Sequence, residues 1–351
     1  MIKGEKIVLH LLVSRFYSGA ENVAWQIIRG FQRHPEYKMI YCSPDGPIRQ
    51  TLLEKGVEYE PIKKATVFEV SKVIKKMKPD IIHAHDMRAG FLASISSKGI
   101  PIISHIHNNN FDSRGLSFKS LAYLYAGIKS KQIFWVSKSS YEGYFFHKFL
   151  SKKSIVLRNV IDIPALEEKA AKDTVEYDYD IVYLGRLTYP KNPQRLILVL
   201  EKVIKRMPNV KVAIIGDGDL KDEIVNMIAE KKLGDNIHYL GYKTNPYKIL
   251  ASSKVMVMTS RWEGLPMCSL EAMSLGIPLV ATPSDGLMEI IDNGVDGILS
   301  EDDDTIVDSL VSIVESPNYQ DSLSRKAKEK ALKLMDIQQY ISKINEAYRQ
   351  C

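Results

Sequence analysis

Short, strongly apolar runs alternate with amphipathic segments along the whole chain, and this alternation constrains the fold more than any other feature. Runs this apolar, separated by helices, are typical of parallel strands that helices cover on both faces. The predicted strands read KIVLHLLV, KMIYCS, DIIHAH, PIISHIH, QIFWVS and SIVLRN in the first half, and DIVYLG, VKVAIIG, IHYLG, VMVMTS and PLVATP in the second. Helices are predicted over 20–33, 194–206, 219–231, 305–315 and 321–350. The pattern predicts an α/β fold with doubly wound parallel sheets.

The chain is long enough for two hydrophobic cores. Its 351 residues with 45% hydrophobic content exceed what one core of ordinary size contains. Residues 164–179 are polar and lack a strand pattern, and the alternation restarts at Asp180. We therefore predict a first domain over 1–163, a linker over 164–179, a second domain over 180–335, and a C-terminal helix over 336–351 that packs back on the first domain.

Composition narrows the compartment and the partners. Three cysteines without metal-ligand spacing favour a reduced, cytosolic compartment, and no apolar run reaches the roughly 20 residues that span a bilayer. The first apolar run is read as a strand rather than a signal peptide. Residues 1–165 hold 25 Lys+Arg and 13 Asp+Glu; the whole chain holds 48 and 42, which leaves 23 and 29 for the remainder. A basic first half joined to an acidic second half predicts an anionic partner for the first half.

Loops at the carboxyl ends of the strands are the candidates for function, because ligands of open parallel sheets bind there. Gly19 follows the first strand and precedes a helix with Glu21 in its first turn, where backbone N–H groups can approach a phosphate. His107, followed by three asparagines, ends a later strand, and its neutral imidazole can hydrogen-bond a sugar hydroxyl or a phosphate oxygen. An ordinary turn glycine and a hydrogen-bonded loop histidine remain the alternatives. A metal site with His83 and His85 is not predicted, because no carboxylate or thiolate completes the ligand set.

Two cations share one strand-end loop in the second half. Arg186 follows Gly185 directly after a strand, and Lys191 precedes the next helix. A planar guanidinium and a compact ammonium in such a loop suit a diphosphate, and ion pairs with surface carboxylates are the alternative. The later Gly-Asp-Gly at 216–218 lacks the third glycine of a dinucleotide fingerprint, so we predict a structural role for it.

The segment RWEGLPMCSLEAMSL, residues 261–275, places one carboxylate on each side of a predicted helix start. Glu263 lies in the loop, before Gly264 and Leu265, and Glu271 lies in the helix. The free N–H groups of the first helical turn favour an anion, while each carboxylate can accept hydrogen bonds from paired hydroxyls. The arrangement predicts a nucleotide diphosphate sugar as the ligand. A solvated Glu263 and a Glu271 paired with a lysine are the alternative.

These loops together resemble glycosyltransferase family 4, whose members are retaining enzymes of GT-B fold, with two Rossmann-like domains that face a central cleft. Glu263 and Glu271 match the E-x7-E motif of the family. Gly185, Arg186 and Lys191 match its GR…K element. The second half of the chain is the more specific part of the resemblance.

The first half resembles the same family through two loops. Gly19 matches the glycine loop after the first strand, and His107 matches the active-site histidine of the first domain. The stretch NVID at 159–162 has valine where the family has glycine, which concerns only a local turn. The stretches SHIHNNNFD and VSKSSYEGYFF are most similar to bacterial capsule and exopolysaccharide glycosyltransferases.

The resemblance implies a hexosyltransferase with a sugar nucleotide donor, usually UDP-linked. Arg186 and Lys191 would hold the diphosphate and offset the charge that develops as it leaves. Glu263 would contact the hydroxyls of the donor sugar, and Gly264 and Leu265 would add backbone contacts.

The resemblance also implies how the remaining residues act. Glu271 would hold the ribose, Gly19 would bring first-domain amides to the phosphate, and His107 would contact the transferred sugar. The leaving phosphate would itself take the acceptor proton. Fixed cations would replace a metal ion, so neither a metal nor another cofactor is expected.

Residues 114–153 combine positive charge with aromatic side chains. They hold eight Lys+Arg against one acid, Glu142, together with ten aromatics. Phe134 and Trp135 are interpreted as strand core, whereas YEGYFFHKFLSKK forms a basic aromatic patch suited to an interfacial membrane contact. We predict a cytoplasmic protein, peripheral at the inner face of the membrane, whose acceptor is a polyprenyl-diphosphate-linked glycan. Nucleic acid is not predicted, because no recognition motif is present.

The predicted function is the transfer of a sugar to a growing, lipid-linked glycan in capsule, exopolysaccharide or related cell-envelope polysaccharide synthesis. A UDP-sugar 2-epimerase of the same architecture and a non-catalytic partner subunit with a retained nucleotide site are the alternatives. The combination of Arg186 and Lys191 with the E-x7-E motif argues against the epimerase.

Overall fold

The computed structural model describes residues 5–108 and 111–351. Proximity of Cα atoms divides the chain into two compact units. Unit 1 runs to Asn159 and also includes Ile337–Cys351, and unit 2 is Val160–Asp336.

Unit 1 is built on a parallel sheet. Over the described residues its strands are β1 (Lys6–Leu11), β2 (Tyr37–Pro44), β3 (Tyr59–Ile62), β4 (Ile81–His85), β5 (Ile102–Ile106), β6 (Gln132–Trp135) and β7 (Ser154–Val156). Their order in the sheet is β3-β2-β1-β4-β5-β6-β7. The order reverses between β1 and β4, so the loops that follow these strands flank the topological switch point.

The helices of unit 1 connect successive strands. They are α1 (Gly19–Gly30), α2 (Ile48–Glu54), α3 (Val67–Met77), α4 (Asp86–Ser96), α5 (Phe118–Lys129) and α6 (Lys138–Glu142), with 3-10 turns at Phe31–Arg33, Phe111–Ser113 and His147–Lys153. The apolar side chains of α3 at 70, 73 and 74 pack on the buried strand residues Leu9, Ile40 and Ile82. This burial explains why the strands read as continuous apolar runs.

Unit 2 repeats the same architecture with its own sheet. Its strands are β8 (Ile181–Leu184), β9 (Val212–Ile215), β10 (Ile237–Gly241), β11 (Val255–Met258), β12 (Leu279–Ala281) and β13 (Gly297–Leu299). Their order is β10-β9-β8-β11-β12-β13, and all of these strands pair in parallel. Here the order reverses between β8 and β11.

The helices of unit 2 each bury apolar side chains. They are α7 (Ile163–Lys172), α8 (Pro193–Arg206), α9 (Lys221–Glu230), α10 (Tyr247–Ser252), α11 (Met267–Ser274), α12 (Asp303–Glu315) and α13 (Pro317–Leu334), with 3-10 turns at Tyr189–Lys191 and Asp285–Glu289. Leu196, Leu200 and Val203 of α8 are fully buried at helical spacing and share one core with Ile306 and Leu310 of α12. Both predicted parallel sheets of the α/β fold are therefore confirmed.

The segment predicted as a linker differs from the prediction, because its first part is a helix of unit 2. Asp162 caps α7 by accepting a hydrogen bond from Ala165 N at 3.1 Å, and a proline occupies the first turn. Ile163, Leu166 and Ala170 are buried, at a spacing of three and four residues. The absence of a strand pattern therefore reflected a short amphipathic helix.

The C-terminal segment predicted to be helical over 321–350 consists of two helices, and the second corresponds to the helix predicted over 336–351. The first, α13, ends at Leu334 and belongs to unit 2; the second, α14 (Ile337–Arg349), belongs to unit 1. Tyr348 of α14 is fully buried and packs against Phe31 and Tyr37. Of the helices that the structure describes, none has the length and apolar character that crossing a bilayer requires.

Candidate functional site

The switch point of unit 2 carries charged side chains in the loops after β8 and β11. Lys191 Nζ lies 2.5 Å from Glu263 Oε1, and Ser260 Oγ donates a hydrogen bond to the same oxygen at 2.6 Å. The two charged side chains are only 13% and 8% exposed. Removing one partner of such a partly buried ion pair lowers stability, because the remaining charge has lost its hydration. Glu263 is therefore paired and largely buried, so the alternative of a solvated Glu263 is wrong.

The backbone that presents Lys191 is braced by a residue that sequence reasoning missed. Arg261 donates from Nη2 to Asn192 Oδ1 at 2.8 Å and from Nε to Tyr189 O at 3.2 Å. Thr259 Oγ1 adds a hydrogen bond to Asn192 O at 3.0 Å. Asn192 has a left-handed backbone, φ 51°, so these bonds hold a strained turn. The position of a cation directly after β11 was the available signal.

The loop of Arg186 rests on the Gly-Asp-Gly turn. Gly216 has φ 144°, and a Cβ there would lie 1.8 Å from Gly185 O. A Cβ on Gly218 would lie 2.3 Å from Leu187 O. Only glycine permits this approach, so the turn has the predicted structural role.

The side chain of Arg186 is exposed, and it makes no hydrogen bond or ion pair with other residues in the part of the chain that the structure describes. Its carbonyl accepts a hydrogen bond from the Tyr183 hydroxyl at 3.0 Å. A guanidinium on a fixed backbone and without a protein carboxylate is available to an anion.

Glu271 lies inside α11 and is almost fully buried. The Tyr247 hydroxyl donates to Glu271 Oε1 at 3.0 Å. Burial raises the pKa of Glu271, and the Tyr247 hydrogen bond and the Lys169 charge oppose that rise. The hydrogen-bond partner is thus a tyrosine rather than the lysine of the alternative, and Glu271 Oε1 is the acceptor.

The charged residues of unit 2 converge on the start of α11. Burial raises the pKa of the Cys268 thiol to about 12; Lys191 lowers this pKa, and Glu263 and Glu271 raise it. Glu263 and Arg186 both influence the pKa of Tyr183, which burial raises. Lys191, Glu263 and Glu271 thus act electrostatically on Cys268, and Arg186 and Glu263 act on Tyr183, while the direct contact that the described residues show among them is that of Lys191 with Glu263.

Gly264 and Leu265 lie between Glu263 and α11. A Cβ on Gly286 would lie 1.8 Å from Gly264 O, so the loop after β12 touches this backbone directly. Leu265 is buried. The predicted backbone contacts therefore come from a segment fixed on both sides.

Unit 1 places Gly19 and His107 at the ends of β1 and β5. Gly19 is the exposed first residue of α1, where Ser18 N donates to the buried Glu21 carboxylate at 3.1 Å. Burial raises the pKa of Glu21, and the nearby Asp86 raises it further. The loop can therefore offer backbone amides to an anion only beside a carboxyl group whose pKa is raised.

His107 is held at two points. Its backbone N donates to Asp86 Oδ1 at 2.9 Å, and its Nε2 lies 2.8 Å from His85 Nδ1. Burial lowers the pKa of His107 to about 3, so the ring is neutral. Asn109 and Asn110, two of the asparagines that follow it, lie outside the described residues.

Solved structures with similar folds place these units in a known class. The structure of the HepE protein of Anabaena, in complex with UDP and glucose, superposes with a TM-score of 0.84 at 19% identity and covers 99% of this chain and 100% of its own. At that identity the likeness concerns the fold alone. It identifies the GT-B class, two Rossmann-like units in one chain.

Two family models then match most of the chain. Residues 17–163 match the model described as Glycosyltransferase Family 4, and residues 165–330 match the model described as Glycosyl transferases group 1. The chain therefore consists of a Glycosyltransferase Family 4 domain followed by a Glycosyl transferases group 1 domain.

Curated relatives share parts of the sequence. An uncharacterized glycosyltransferase of Methanocaldococcus jannaschii is 32% identical over 239 residues, which span 61% of this chain and 58% of the relative. The UDP-Gal:alpha-D-GlcNAc-diphosphoundecaprenol alpha-1,3-galactosyltransferase of Escherichia coli is 25% identical over 304 residues, which span 81% and 78%. The chain thus covers less than two thirds of the archaeal relative's length.

Proposed function

We propose that this protein is a retaining glycosyltransferase that moves a sugar from a nucleotide diphosphate sugar, UDP-linked, to a growing lipid-linked glycan of the cell envelope, such as capsule or exopolysaccharide. The observation that carries the proposal is the partly buried Lys191–Glu263 pair before the start of α11, together with an Arg186 guanidinium that is exposed and pairs with none of the described residues. The E. coli relative, named for a UDP-linked donor and a diphosphoundecaprenol acceptor, supports the same chemistry.

The diphosphate would bind where the cations and the helix start meet. Arg186 can grip two oxygens with its planar fork, and Lys191 keeps two further N–H groups beyond the one directed at Glu263. The N–H groups of the first turn of α11 would add partial positive charge. These fixed charges would stabilise the diphosphate as it leaves, and no metal is required for that purpose.

The sugars would lie on either side of the diphosphate. Glu271 would accept hydrogen bonds from the ribose hydroxyls, since Tyr247 engages only one of its carboxylate oxygens. Glu263 has its Oε1 committed to Lys191 and Ser260, which leaves Oε2 for the donor sugar. The backbone of Gly264 and Leu265 would complete that contact.

Unit 1 would supply the remaining groups. Gly19 would offer a backbone amide to the phosphate, and His107 would hydrogen-bond the transferred sugar. In a retaining reaction with attack on the face that the diphosphate leaves, the departing phosphate oxygen takes the acceptor proton. The chain's own task is then to position the donor and to stabilise charge.

The acceptor would be reached at a membrane surface. Phe118 is 82% exposed and Phe149 79%, and Lys119, Lys148 and Lys152 lie in the same two segments. Phe134, Trp135 and Tyr144 are buried, so the first two are core, as predicted. Exposed aromatics among lysines suit the interface of an anionic bilayer. Binding to vesicles rich in phosphatidylglycerol should fall with rising salt and with Phe118→Ser/Phe149→Ser, and a protein that ignores such vesicles at low salt refutes this part.

The decisive experiment measures UDP binding and UDP release. Calorimetry should detect UDP binding in the wild type, and UDP-sugar donors should release UDP faster when a lipid-linked glycan is present. Lys191→Ala and Glu263→Ala should each slow release about 10²-fold to 10³-fold. Absence of any nucleoside diphosphate affinity would refute the proposal, and epimerised donor without UDP release would favour the epimerase.

A further inference from the structure

A layer of buried histidines crosses the sheet of unit 1. The five side chains come from three adjacent strands and the end of the last of them: His10, His83, His85, His105 and His107. Register places His10 opposite His83 and His85 opposite His105. Helix α14 contributes Tyr348, whose hydroxyl lies 2.6 Å from His83 Nδ1. The layer lies within unit 1 and needs its own explanation there.

Three of the rings form a chain of hydrogen bonds. His10 Nδ1 lies 3.0 Å from His85 Nε2, and His85 Nδ1 lies 2.8 Å from His107 Nε2. The ring centroids are 5.3 and 5.1 Å apart, and the ring planes differ by 25° and 10°. Nearly parallel rings whose nitrogens are much closer than their centroids meet edge to edge. The lone pairs and N–H bonds therefore point along the chain, as hydrogen bonds require.

The chain can run in only two directions, because each ring carries one proton. Burial lowers the pKa of His10 and of His107 to about 3 and that of His85 well below its usual value, so all three rings are neutral at neutral pH. A neutral imidazole has one donor and one acceptor nitrogen. Either every ring is protonated on Nδ1, which leaves His107 Nδ1–H at the end of the chain, or every ring is protonated on Nε2, which leaves His10 Nε2–H there.

The two ends differ in what can meet the last proton. His10 lies inside β1 with no exposed surface, and its Nε2 has no hydrogen-bond partner among the described residues. His107 follows β5 at the carboxyl edge of the sheet, the edge at which ligands of such sheets bind, and its Nδ1 is likewise unpartnered within the described ranges. A buried N–H without an acceptor is rarer than an unpaired acceptor, so a ligand oxygen at His107 favours the Nδ1 direction.

We propose that His10 and His85 are positioning residues that fix His107 as a neutral Nδ1–H donor to an oxygen of the transferred sugar. The contact with the sugar rests on the proposed function, whereas the direction of the chain does not. Asp86 fixes the backbone of His107, and the chain fixes the ring and its proton. A site of this kind donates a hydrogen bond without introducing a charge.

A metal ion is the rival occupant of the layer. Two groups of three histidines have ligand atoms within 4.8 Å of one another, namely His10, His83 and His85, and His85, His105 and His107. His85 belongs to both groups, and both of its nitrogens already lie at hydrogen-bond distance from other rings. A metal, which needs about 2.0–2.1 Å to each nitrogen, would have to break this chain. The geometry therefore favours the hydrogen bonds.

The test reads the protons directly in the whole protein. Two-bond nitrogen–proton correlation spectra of 15N-histidine-labelled protein distinguish Nδ1–H from Nε2–H rings. We expect His10, His85 and His107 to be neutral Nδ1–H tautomers from pH 6 to 8. We also expect UDP-sugar to sharpen their signals. Nε2–H tautomers, a charged ring, or stoichiometric metal by elemental analysis that His85→Phe removes would overturn the proposal. This wild-type measurement requires neither activity nor a variant that folds.

Matched variants separate positioning from packing. His85→Phe breaks the chain, whereas His83→Phe makes the same change in the same strand, at the same burial, outside the chain. His85→Phe should mix the tautomers of His107 and lower turnover about 10-fold to 100-fold, with UDP affinity and Tm equal to those of His83→Phe. Equal turnover in the two variants would refute the positioning role. If the tautomers are as expected but no sugar is transferred, the proposed function fails and the chain stands.

Discussion

The topological switch points of the two units both carry buried polar side chains, but these are charged and paired in unit 2 and uncharged in unit 1. Each switch point lies between the first and the fourth strand of its unit, β1 and β4 in unit 1 and β8 and β11 in unit 2. At both, polar side chains lie where the loops leave the sheet. In unit 2 the polar groups remain charged and are neutralised by a partner, as Lys191 and Glu263 are. In unit 1 they are imidazoles that burial keeps uncharged, such as His10 and His107. An ion pair keeps charged side chains available to a charged ligand. Uncharged imidazoles keep directional hydrogen bonds without adding a net charge to the site.

This difference predicts that low pH destabilises unit 1 more than unit 2, and it is the largest effect that we expect. Folding lowers the pKa of His10 and His107 to about 3, so the unfolded chain binds more protons below its own histidine pKa. The free energy of unfolding therefore falls as the pH drops through about 6.5, and it continues to fall until about 3. From pH 7 to pH 5 these two residues alone should cost on the order of 4 kcal/mol.

Tryptophan fluorescence can measure this loss in unit 1. Trp25 and Trp135 lie in unit 1 and Trp262 in unit 2, so Trp262→Phe protein reports unit 1. The urea midpoint of its unfolding should drop strongly between pH 7 and pH 5. His10→Phe should remove about half of the loss of stability that is assigned to His10 and His107. A midpoint insensitive to pH would remove the basis of the comparison.

Lys191 tests the charged switch point, with the next largest effect. Lys191→Ala removes a donor aimed at the developing charge, so sugar transfer should fall about 10²-fold to 10³-fold. It also strands the Glu263 carboxylate, which should cost about 3 kcal/mol of stability. The double variant Lys191→Met/Glu263→Gln should recover stability without activity. If the double variant is no more stable than the single one, the pair is not a coupled unit.

Arg186 should show the reverse combination, loss of binding without loss of stability. Its side chain is exposed and makes no ion pair with the described residues. Arg186→Ala should weaken UDP binding about 10-fold to 100-fold, the equivalent of one or two charge-assisted hydrogen bonds. Calorimetry measures the affinity, and an unchanged Tm separates it from folding. The exposed Lys221→Ala is the matched control and should change neither.

Hydrophobic patterning indicated most of this fold, and its failures have a common cause. The predicted strand runs correspond to observed strands, whereas β3 and β13 were not predicted. Each is a short edge strand, and they contain Pro61 and Gly297, which weaken a strand pattern. Helix α7 was missed because a segment without a strand pattern was taken to be a linker. Patterning therefore misses elements whose apolar pattern is short or interrupted, although it identified β7, an edge strand without a buried residue.

The candidate sites divide along the same line. Glu263, Glu271, Arg186 and Lys191 could be predicted because loops after consecutive parallel strands share one edge of a sheet. The chain of His10, His85 and His107 could not, because it depends on strand order and register. That His85 lies level with His105, and β1 beside β4, emerges only from the paired sheet. The bracing by Arg261 likewise requires the turn at Asn192 to exist first.

Glu271 sharpens the comparison with the smallest effect, because it is a buried carboxyl with a raised pKa inside the charged site. Folding raises its pKa through burial, so the folded state holds a proton over a range in which the unfolded carboxyl is ionised. Stability therefore falls as the pH rises from the unfolded pKa through the raised folded one, opposite to the histidines. Glu271→Gln keeps an acceptor for Tyr247 without a buried charge, so it should raise Tm slightly at pH 8 and less at pH 5. An equal gain at both pH values would show that packing rather than ionisation is responsible, and Tyr247→Phe should shift the pH dependence because it removes the hydrogen bond that favours the ionised form.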